Sequence, residues 1–274
     1  MDLQPGIYAI TNEQYHREKP YRDALSSTFL KNLIQKSPGH AIYEINHPAE
    51  KPEFDFGTAF HTILLEPNKF QESVTTFNGR RYGKKWDEFQ AEAGDKLILK
   101  PDDLDRLTAM RDSVMSMTTA KGLFSDGVAE QSYFWVDEMS GLMCRCRPDW
   151  ENTAVGVLAD VKTTSALASK SSFSRTIANF HYDLQAAFYK GGVNILSESS
   201  YSTWIWVVVE TQPPHGVGIY EADIAMMDNG RTKARHALDL AADCFKNDSW
   251  PMYLDEVVPV SLPNYALWWQ KENE

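Results

Sequence analysis

The stretch VLADVK at residues 157–162 decides the fold of this chain. It is short and rich in β-forming residues, so it predicts a β-strand. Successive side chains of a strand point to opposite faces, so Asp160 and Lys162 share one face, while the apolar residues at 157, 159 and 161 share the other. A carboxylate and an ammonium group therefore project side by side from a strand whose opposite face is apolar.

The preceding stretch, MCRCRPD at residues 143–149, shows the same alternation. It places Arg145, Arg147 and Asp149 on one face and turns the two cysteines between them toward a core. If the two stretches pair as a hairpin, Asp149 near the end of one strand lies beside Asp160 on the next. The sequence thus predicts two neighbouring carboxylates and a lysine on one sheet.

Further β-forming segments surround these two stretches. Turn-like residues separate the first three segments, which predicts an antiparallel meander, and the near-continuous apolar run at 201–210 is typical of a strand buried on both faces. We therefore predict an α/β core with a mixed central sheet flanked by helices. The predicted strands are Glu130–Val136, Gly141–Trp150, Val155–Thr163, Tyr201–Glu210 and Val217–Ala222.

Helical spacing of apolar residues recurs before and after this centre. The first helical region is divided into a broken pair by Ser37-Pro38-Gly39. Residues 70–100 are polar, basic and aromatic without a clear period, and we interpret them as a long excursion. The predicted helices are one between Ser26 and the break, then His40–Ile45, Gly57–Leu65, Asp102–Thr119, Ser172–Leu196 and Ile224–Phe245.

Two adjacent carboxylates suit Mg²⁺, a hard cation that prefers oxygen ligands, and Mn²⁺ is an alternative. Such a cation activates water and neutralises a phosphate, while a lysine beside it holds or helps to deprotonate the attacking water. The competing interpretation of Asp160 and Lys162 is a surface ion pair on an edge strand, which would contribute little.

Pro148-Asp149, ten intervening residues and then Asp160-Val161-Lys162 resemble the signature of the PD-(D/E)xK nucleases. GTAFH at 57–61 and QAAFY at 185–189 are similar to the helical histidine and QxxxY motifs of the RecB-like branch. LSS at 25–27, EP at 66–67, RPD at 147–149 and KTT at 162–164 look most like the RecE exonucleases, also called exonuclease VIII. The resemblance covers most of residues 22–192 and implies a restriction-endonuclease-like core.

The resemblance also implies roles for individual residues. Asp149 and Asp160 match the metal-ligating carboxylates, and Lys162 matches the catalytic lysine. The remaining matches are His61 to a metal-binding histidine, Gln185 and Tyr189 to a catalytic pair that lines the site, and Glu130 to an acidic metal-binding position. Without the motifs, a lone histidine in an apolar helix is more often a hydrogen-bonded core residue.

By this resemblance, the chain is expected to be a Mg²⁺-dependent exodeoxyribonuclease that degrades linear double-stranded DNA from 5′ to 3′ in DNA recombination. A single-strand annealing protein is a further expected partner. Arg145 and Arg147, which share a face with Asp149, are expected to contact a backbone phosphate. The resemblance and the acidic charge together predict a closed homo-oligomeric ring of three or four subunits.

Two alternatives stay open. One is an AddB-like or CRISPR-associated nuclease of the same fold with an iron–sulfur cluster, but three cysteines, Cys144, Cys146 and Cys244, cannot provide a four-cysteine site. The other is a non-catalytic DNA-binding or assembly protein that retains the fold. Its expected sign is the loss of a carboxylate or of the lysine, and this chain keeps both.

The chain has 274 residues, 43% hydrophobic and 24% charged, an ordinary globular balance. We expect one domain at 1–274, with an N-terminal helical part (about 1–120), a catalytic core (about 128–223) and a C-terminal helix and tail (224–274), in which Trp268–Trp269 serves packing or a subunit contact.

The longest apolar run, Trp204–Val209, is far shorter than the roughly 20 residues that span a bilayer, and the N-terminus lacks a secretory signal. We therefore expect a soluble, cytoplasmic protein without a membrane partner.

The formal net charge of −11 argues against binding nucleic acid through the overall field of the protein. A local exception is the basic strip, RRYGKKW at residues 80–86, in which Arg80, Arg81, Lys84 and Lys85 are interleaved with aromatic residues. We predict that the basic strip contacts DNA, with a solvated loop as the alternative.

Overall fold

The computed structural model describes residues 3–47, 56–94 and 96–263. The pair Trp268–Trp269 lies outside these residues. No helix in the described ranges is both long enough and apolar enough to cross a membrane.

The strands of the described residues form three sheets. They are β1 (Gly6–Tyr8), β2 (Val74–Thr76), β3 (Leu97–Leu99), β4 (Val128–Ala129), β5 (Ser132–Val136), β6 (Met143–Cys146), β7 (Trp150–Asn152), β8 (Val157–Thr164), β9 (Thr203–Glu210) and β10 (Val217–Glu221). The central sheet has five strands in the order β10-β9-β8-β7-β4, in which only the β8–β9 pair is parallel. A second sheet has the order β1-β5-β6, and a parallel pair, β2-β3, forms a third.

Helices cover both faces of the central sheet. In the described residues they are α1 (Asn12–Arg17), α2 (Ser27–Gln35), α3 (Pro38–Asn46), α4 (Phe56–Leu65), α5 (Pro67–Ser73), α6 (Lys84–Ala93), α7 (Pro101–Ser116), α8 (Thr118–Leu123), α9 (Lys170–Phe180), α10 (Tyr182–Leu196) and α11 (Ile224–Asn247), with a short 3₁₀ turn at Tyr21–Asp23.

The alternation along β8 divides the interior into two cores. Leu158 packs in one core with α2, α10 and α11, whereas Ala159 and Val161 pack in the other with α4 and α7. The neighbouring strand β9 alternates in the same way, with Trp206 in the first core and Val207 in the second. Each fully buried Val or Leu side chain contributes about 1.5–3 kcal/mol, so this two-sided burial fixes the register of β8.

The predicted α/β class with a mixed sheet flanked by helices is confirmed. The antiparallel meander is wrong, because the predicted strand Gly141–Trp150 is divided between two sheets. Its first part, β6, pairs with β5, while its last residue begins β7 and pairs with β8. Pro148 lies between the two parts and has no N–H to donate, so one ladder cannot run through it.

The predicted helix Ser172–Leu196 is two helices in the structure. His181 lies between α9 and α10 in the left-handed conformation, with φ 49° and ψ 47°, which ends one helix and redirects the chain. The predicted excursion at 70–100 contains the end of α5, β2, α6 and β3. The broken helix pair at 27–46 and the long helix from Ile224 are confirmed.

Candidate metal centre

Asp149 and Asp160 meet where β7 pairs with β8. Asp149 directly precedes β7, and the antiparallel pairing of Trp150 with Ala159 places it beside Asp160. The backbone N–H of Val161 donates a hydrogen bond of 2.7 Å to Asp149 Oδ2. The Asp149 carboxylate is thereby fixed against the middle of β8.

His61 reaches the same place from α4, which packs against β8. Its Nε2 atom lies 3.0 Å from the carbonyl oxygen of Val161, and because a carbonyl oxygen only accepts, Nε2 donates the proton. The other ring nitrogen, Nδ1, faces Asp149 Oδ1 at 3.6 Å and Glu130 Oε1 at 3.9 Å. The backbone of β8 therefore orients the imidazole so that its second nitrogen points at two carboxylates.

Glu130 is held in place by an unusual backbone conformation. It follows β4 with a φ of 55°, in the left-handed region that residues other than glycine rarely adopt. Its N–H donates to the carbonyl oxygen of Asp149 over 3.2 Å. Such a conformation costs on the order of 1 kcal/mol, and here it directs the carboxylate toward His61.

These three residues form the one cluster of metal-ligating side chains found in the described ranges. The ligand atoms of His61, Glu130 and Asp149 all lie within 4.8 Å of one another. Two carboxylates and one imidazole with a fixed tautomer fit a divalent cation, and the carboxylate oxygens suit Mg²⁺ or Mn²⁺. Asp160 is close to this cluster, since the charges of Asp149 and His61 act on its pKa, but it is not one of the three.

Asp160 belongs to a second group of side chains, which adjoins this cluster. The carboxylate is 2% exposed; its Oδ2 lies 2.5 Å from Lys162 Nζ, and its Oδ1 accepts 2.9 Å from Gln185 Nε2. The ammonium group of Lys162 also lies 4.9 Å from the centre of the Tyr182 ring. Asp160 and Lys162 are therefore a desolvated pair within the protein, in place of the surface ion pair of the competing interpretation.

The pKa values of the side chains in the centre are shifted by burial and by their charged neighbours. Burial alone would lower the pKa of His61, but the carboxylates of Asp149 and Glu130 raise it to about 9. Burial also opposes the charge of Lys162, yet Asp160 and Asp149 raise its pKa above the usual value. Burial raises the pKa of both aspartates, and the nearby cations lower it. The centre is thus rich in negative charge that a cation relieves.

A cleft of about 560 Å³ opens over the metal-ligating cluster. One wall is the N-terminal arm, which we define as residues 6–17; the others come from α4, residues 128–131 and Tyr189. Burial raises the pKa of Tyr189 well above its usual range, against a hydrogen bond with Ser27 that lowers it. Gln185 and Tyr189 lie on α10 and face the centre, as their spacing predicts.

Arg145 and Arg147 share a face with Asp149, but the N-terminal arm covers them. They are 7% and 8% exposed, and both guanidinium groups contact the ring of Tyr15. The guanidinium carbon lies 4.5 Å from the ring centre for Arg145 and 4.3 Å for Arg147. Arg145 donates to the carbonyl oxygen of Tyr15, and Arg147 donates to Ser132 Oγ and to the carbonyl oxygen of Ile10. The structure assigns these arginines to anchoring the arm, and contact with DNA stays a prediction that these internal partners do not favour.

The basic strip, by contrast, is exposed at the beginning of α6. Arg81 donates to the carbonyl oxygen of Ile98 over 2.6 Å and stacks on Trp86, while Arg80 donates to Tyr82 Oη. Lys84 is near Glu88 at 3.8 Å in solvent. The structure leaves these cations accessible, and their contact with DNA stays a prediction.

The sequence reasoning missed Lys31, Tyr182 and Tyr15. Lys31 lies on α2, where its Nζ is 3.5 Å from Gln185 Oε1. The available signal is its position four residues after Ser27, on the same side of a helix that contacts α10. That contact between helices is not readable from a single sequence.

The mixed sheet, the two carboxylates at the β7–β8 pair and the lysine two residues further along define a nuclease core of the PD-(D/E)xK type. The chain matches the family described as "PDDEXK-like domain of unknown function (DUF3799)" over residues 26–258, and it belongs to that family.

Among solved structures, the chain is similar to a "Putative exonuclease" from Eubacterium rectale, with 14% identity, a TM-score of 0.58, and coverage of 95% of this chain and 98% of that one. SSO0001 has 13% identity and a TM-score of 0.39, with 86% of this chain and 83% of that chain covered. No curated protein matches the chain. The family match supports the PD-(D/E)xK superfamily and does not single out the RecE exonucleases, and the similarity to the first of these structures supports the fold.

Proposed function

We propose that the protein is a metal-dependent exodeoxyribonuclease that hydrolyses linear double-stranded DNA. The observation that carries this proposal is the meeting of His61, Glu130 and Asp149 with the Asp160–Lys162 pair at the middle of β8. Carboxylates, a charged lysine and an open cleft are the groups that phosphodiester hydrolysis needs, because the reaction develops negative charge on phosphate oxygens.

The residues of the centre would have different tasks. His61, Glu130, Asp149 and Asp160 would hold Mg²⁺ or Mn²⁺, which supplies charge neutralisation at the scissile phosphate. Lys162 orients the attacking water and stabilises developing negative charge. Gln185 holds the Asp160 carboxylate, and the Tyr182 ring shields the ammonium group from solvent.

We further infer 5′ to 3′ cleavage in DNA recombination, with a single-strand annealing protein as partner and the cytoplasm as compartment. The support is the order and spacing of the motifs from LSS at 25–27 to QAAFY at 185–189. A ring of three or four subunits would turn the basic strip and the metal centre toward a channel, away from the acidic exterior of a chain with net charge −11. Sedimentation with Mg²⁺ and linear DNA tests this, and a monomer at micromolar concentration contradicts the ring.

Two rivals are weaker. An iron–sulfur nuclease of the same fold needs four clustered thiolates, whereas Cys144, Cys146 and Cys244 are buried, and burial raises the pKa of each thiol. A non-catalytic DNA-binding protein would not need to hold the half-buried Lys162 against the buried Asp160 next to the metal-ligating cluster.

End-labelled linear DNA compared with covalently closed circular DNA, each with Mg²⁺, Mn²⁺ or EDTA, tests the proposal. We expect degradation of the linear DNA alone, and only when a metal is present. Cleavage in EDTA would contradict metal dependence, equal loss of both DNA forms would contradict end dependence, and inactivity of freshly purified protein with both metals would favour the non-catalytic rival.

A further inference from the structure

Three lysines approach the beginning of α10 from different elements, but the structure gives only two of them a carboxylate. Lys162 on β8 pairs with Asp160 at 2.5 Å, and Lys233 on α11 pairs with Asp183 at 2.7 Å. The third is Lys31, on α2. Within the described ranges, no carboxylate oxygen lies within 4.0 Å of its ammonium group. The group of lysines therefore carries one excess positive charge, located at Lys31.

The neighbours of Lys31 are polar or aromatic and carry no negative charge. Its Nζ is 3.5 Å from Gln185 Oε1 and 5.5 Å from the centre of the Tyr182 ring. Lys162 lies over the same ring at 4.9 Å. Burial and the charge of Lys162 together lower the pKa of Lys31 to about 8, although the charge of Asp160 raises it. The surroundings thus oppose a charge that they do not neutralise.

A half-buried cation without a counterion costs free energy, unless an anion joins it in the working state. The position of Lys31 identifies that anion. Gln185 connects it to the metal centre, because its Oε1 faces Lys31 while its Nε2 donates to Asp160. One amide side chain therefore separates the uncompensated charge from a proposed metal-binding carboxylate.

We propose that Lys31 binds a backbone phosphate of the nucleic-acid substrate, next to the phosphodiester at the Asp149–Asp160–Lys162 centre. This inference rests on the proposed function and adds a substrate-binding residue that lies outside the nuclease motifs. A phosphate there completes the charge balance of the three lysines, and a lysine suits the contact because its ammonium group meets phosphate as a flexible point charge.

The test compares Lys31→Met with Lys36→Met in the full chain. Lys36 directly follows the same helix, but it is exposed and paired with Glu44, so its variant is the matched control. Binding of a labelled linear duplex is measured in EDTA over a series of salt concentrations. For Lys31→Met we expect the slope of log K against log salt to fall by about one unit, while Lys36→Met keeps the wild-type slope.

Lys31→Arg should restore the slope, because it restores the charge, and Lys31→Gln provides a second neutral variant should the Met variant not fold. A merely structural role would lower stability without changing the slope. Wild-type slopes in both neutral variants, or an equal fall in Lys36→Met, overturn the inference. Wild-type protein that neither binds nor cleaves DNA contradicts the proposed function itself, so the two failures are distinguishable.

Discussion

Two groups of cations that look alike in the sequence have opposite surroundings in the structure. Arg145 and Arg147 are buried under the N-terminal arm with internal carbonyl and hydroxyl partners, whereas the basic strip lies in solvent. Both groups are predicted from the sequence to contact DNA. The difference teaches that strand alternation identifies the face of a side chain but not the segment that covers that face.

The same division applies to function. A buried cation has exchanged water for fixed partners, so removing it affects those partners and leaves unsatisfied groups behind. An exposed cation keeps its hydration, and its removal changes the field that an approaching anion meets. The buried cations should therefore control chemistry or stability, and the basic strip should control association.

Lys162 should give the largest effect, because it is a half-buried cation that contacts a carboxylate at the proposed reacting centre. For Lys162→Met we expect cleavage to fall by about a thousandfold or more, with DNA binding and folding retained. The rate of release of end label from linear DNA measures this, and Asp160→Ala should behave alike. Substantial turnover in both variants would remove these residues from the site.

Arg147→Ala should give the next largest effect, on stability. The change removes donors to Ser132 Oγ and the Ile10 carbonyl and the stacking on Tyr15, so the free energy of unfolding should fall by about 3 kcal/mol. Urea unfolding measures this, with exposed Arg175→Ala as control. If both variants lose equally little, the anchoring role of Arg147 is wrong.

The quadruple Ala variant of Arg80, Arg81, Lys84 and Lys85 should leave the free energy of unfolding almost unchanged. We expect a flatter salt dependence of DNA binding, by about one unit for each phosphate that the variant no longer neutralises, because each neutralised phosphate releases counterions. Fluorescence anisotropy with a labelled duplex over a salt series measures the slope. An unchanged slope would assign the basic strip to a solvated loop, and neither cation group would then bind DNA.

The smallest effect concerns the ion pair of Asp137 with Arg235. This pair is half-buried, so its exposure lies between that of Arg145 and Arg147 and that of the basic strip. Burial raises the pKa of Asp137, but hydrogen bonds from Ser140 and Arg235 lower it below the usual value. Because the pKa of Asp137 is lower in the folded state than in the unfolded state, its charge stabilises the protein at any pH above the unfolded-state pKa. This contribution is lost as the pH falls through the folded-state pKa.

We therefore expect Asp137→Asn to cost about 1 kcal/mol near neutral pH and progressively less below about pH 4. Urea unfolding of wild type and variant at matched pH measures the difference, with the exposed Asp228→Asn as control. A difference that stays constant down to acid pH would show that the pair contributes packing and no charge effect.

Much of the site could be predicted because its signals are local. The alternation of VLADVK places Asp160 and Lys162 on one face, and the i, i+4 spacing of Gln185 and Tyr189 places both toward that face. His61 could be proposed only through the motif around it, since α4 is mostly apolar and the partners of His61 are far away in the sequence.

The rest depends on contacts that no local pattern encodes. The division of the predicted strand Gly141–Trp150 between two sheets follows from Pro148 and from the pairing of β6 with β5. The break at His181 needs a left-handed histidine, which has no clear signal. Lys31 lies near the site only because α2 packs on α10. Its partner there, Gln185, is 154 residues further along the chain.

The N-terminal arm also has a consequence for the order of folding. Tyr15 is 130 residues from its anchor Arg145, and His61 is 100 residues from Val161. Loop closure over such separations is entropically costly, so these contacts form late and slowly. We expect the central sheet to become protected from hydrogen exchange first and the N-terminal arm last. Folding would then pass through a compact chain whose core has formed but whose cleft still lacks one wall.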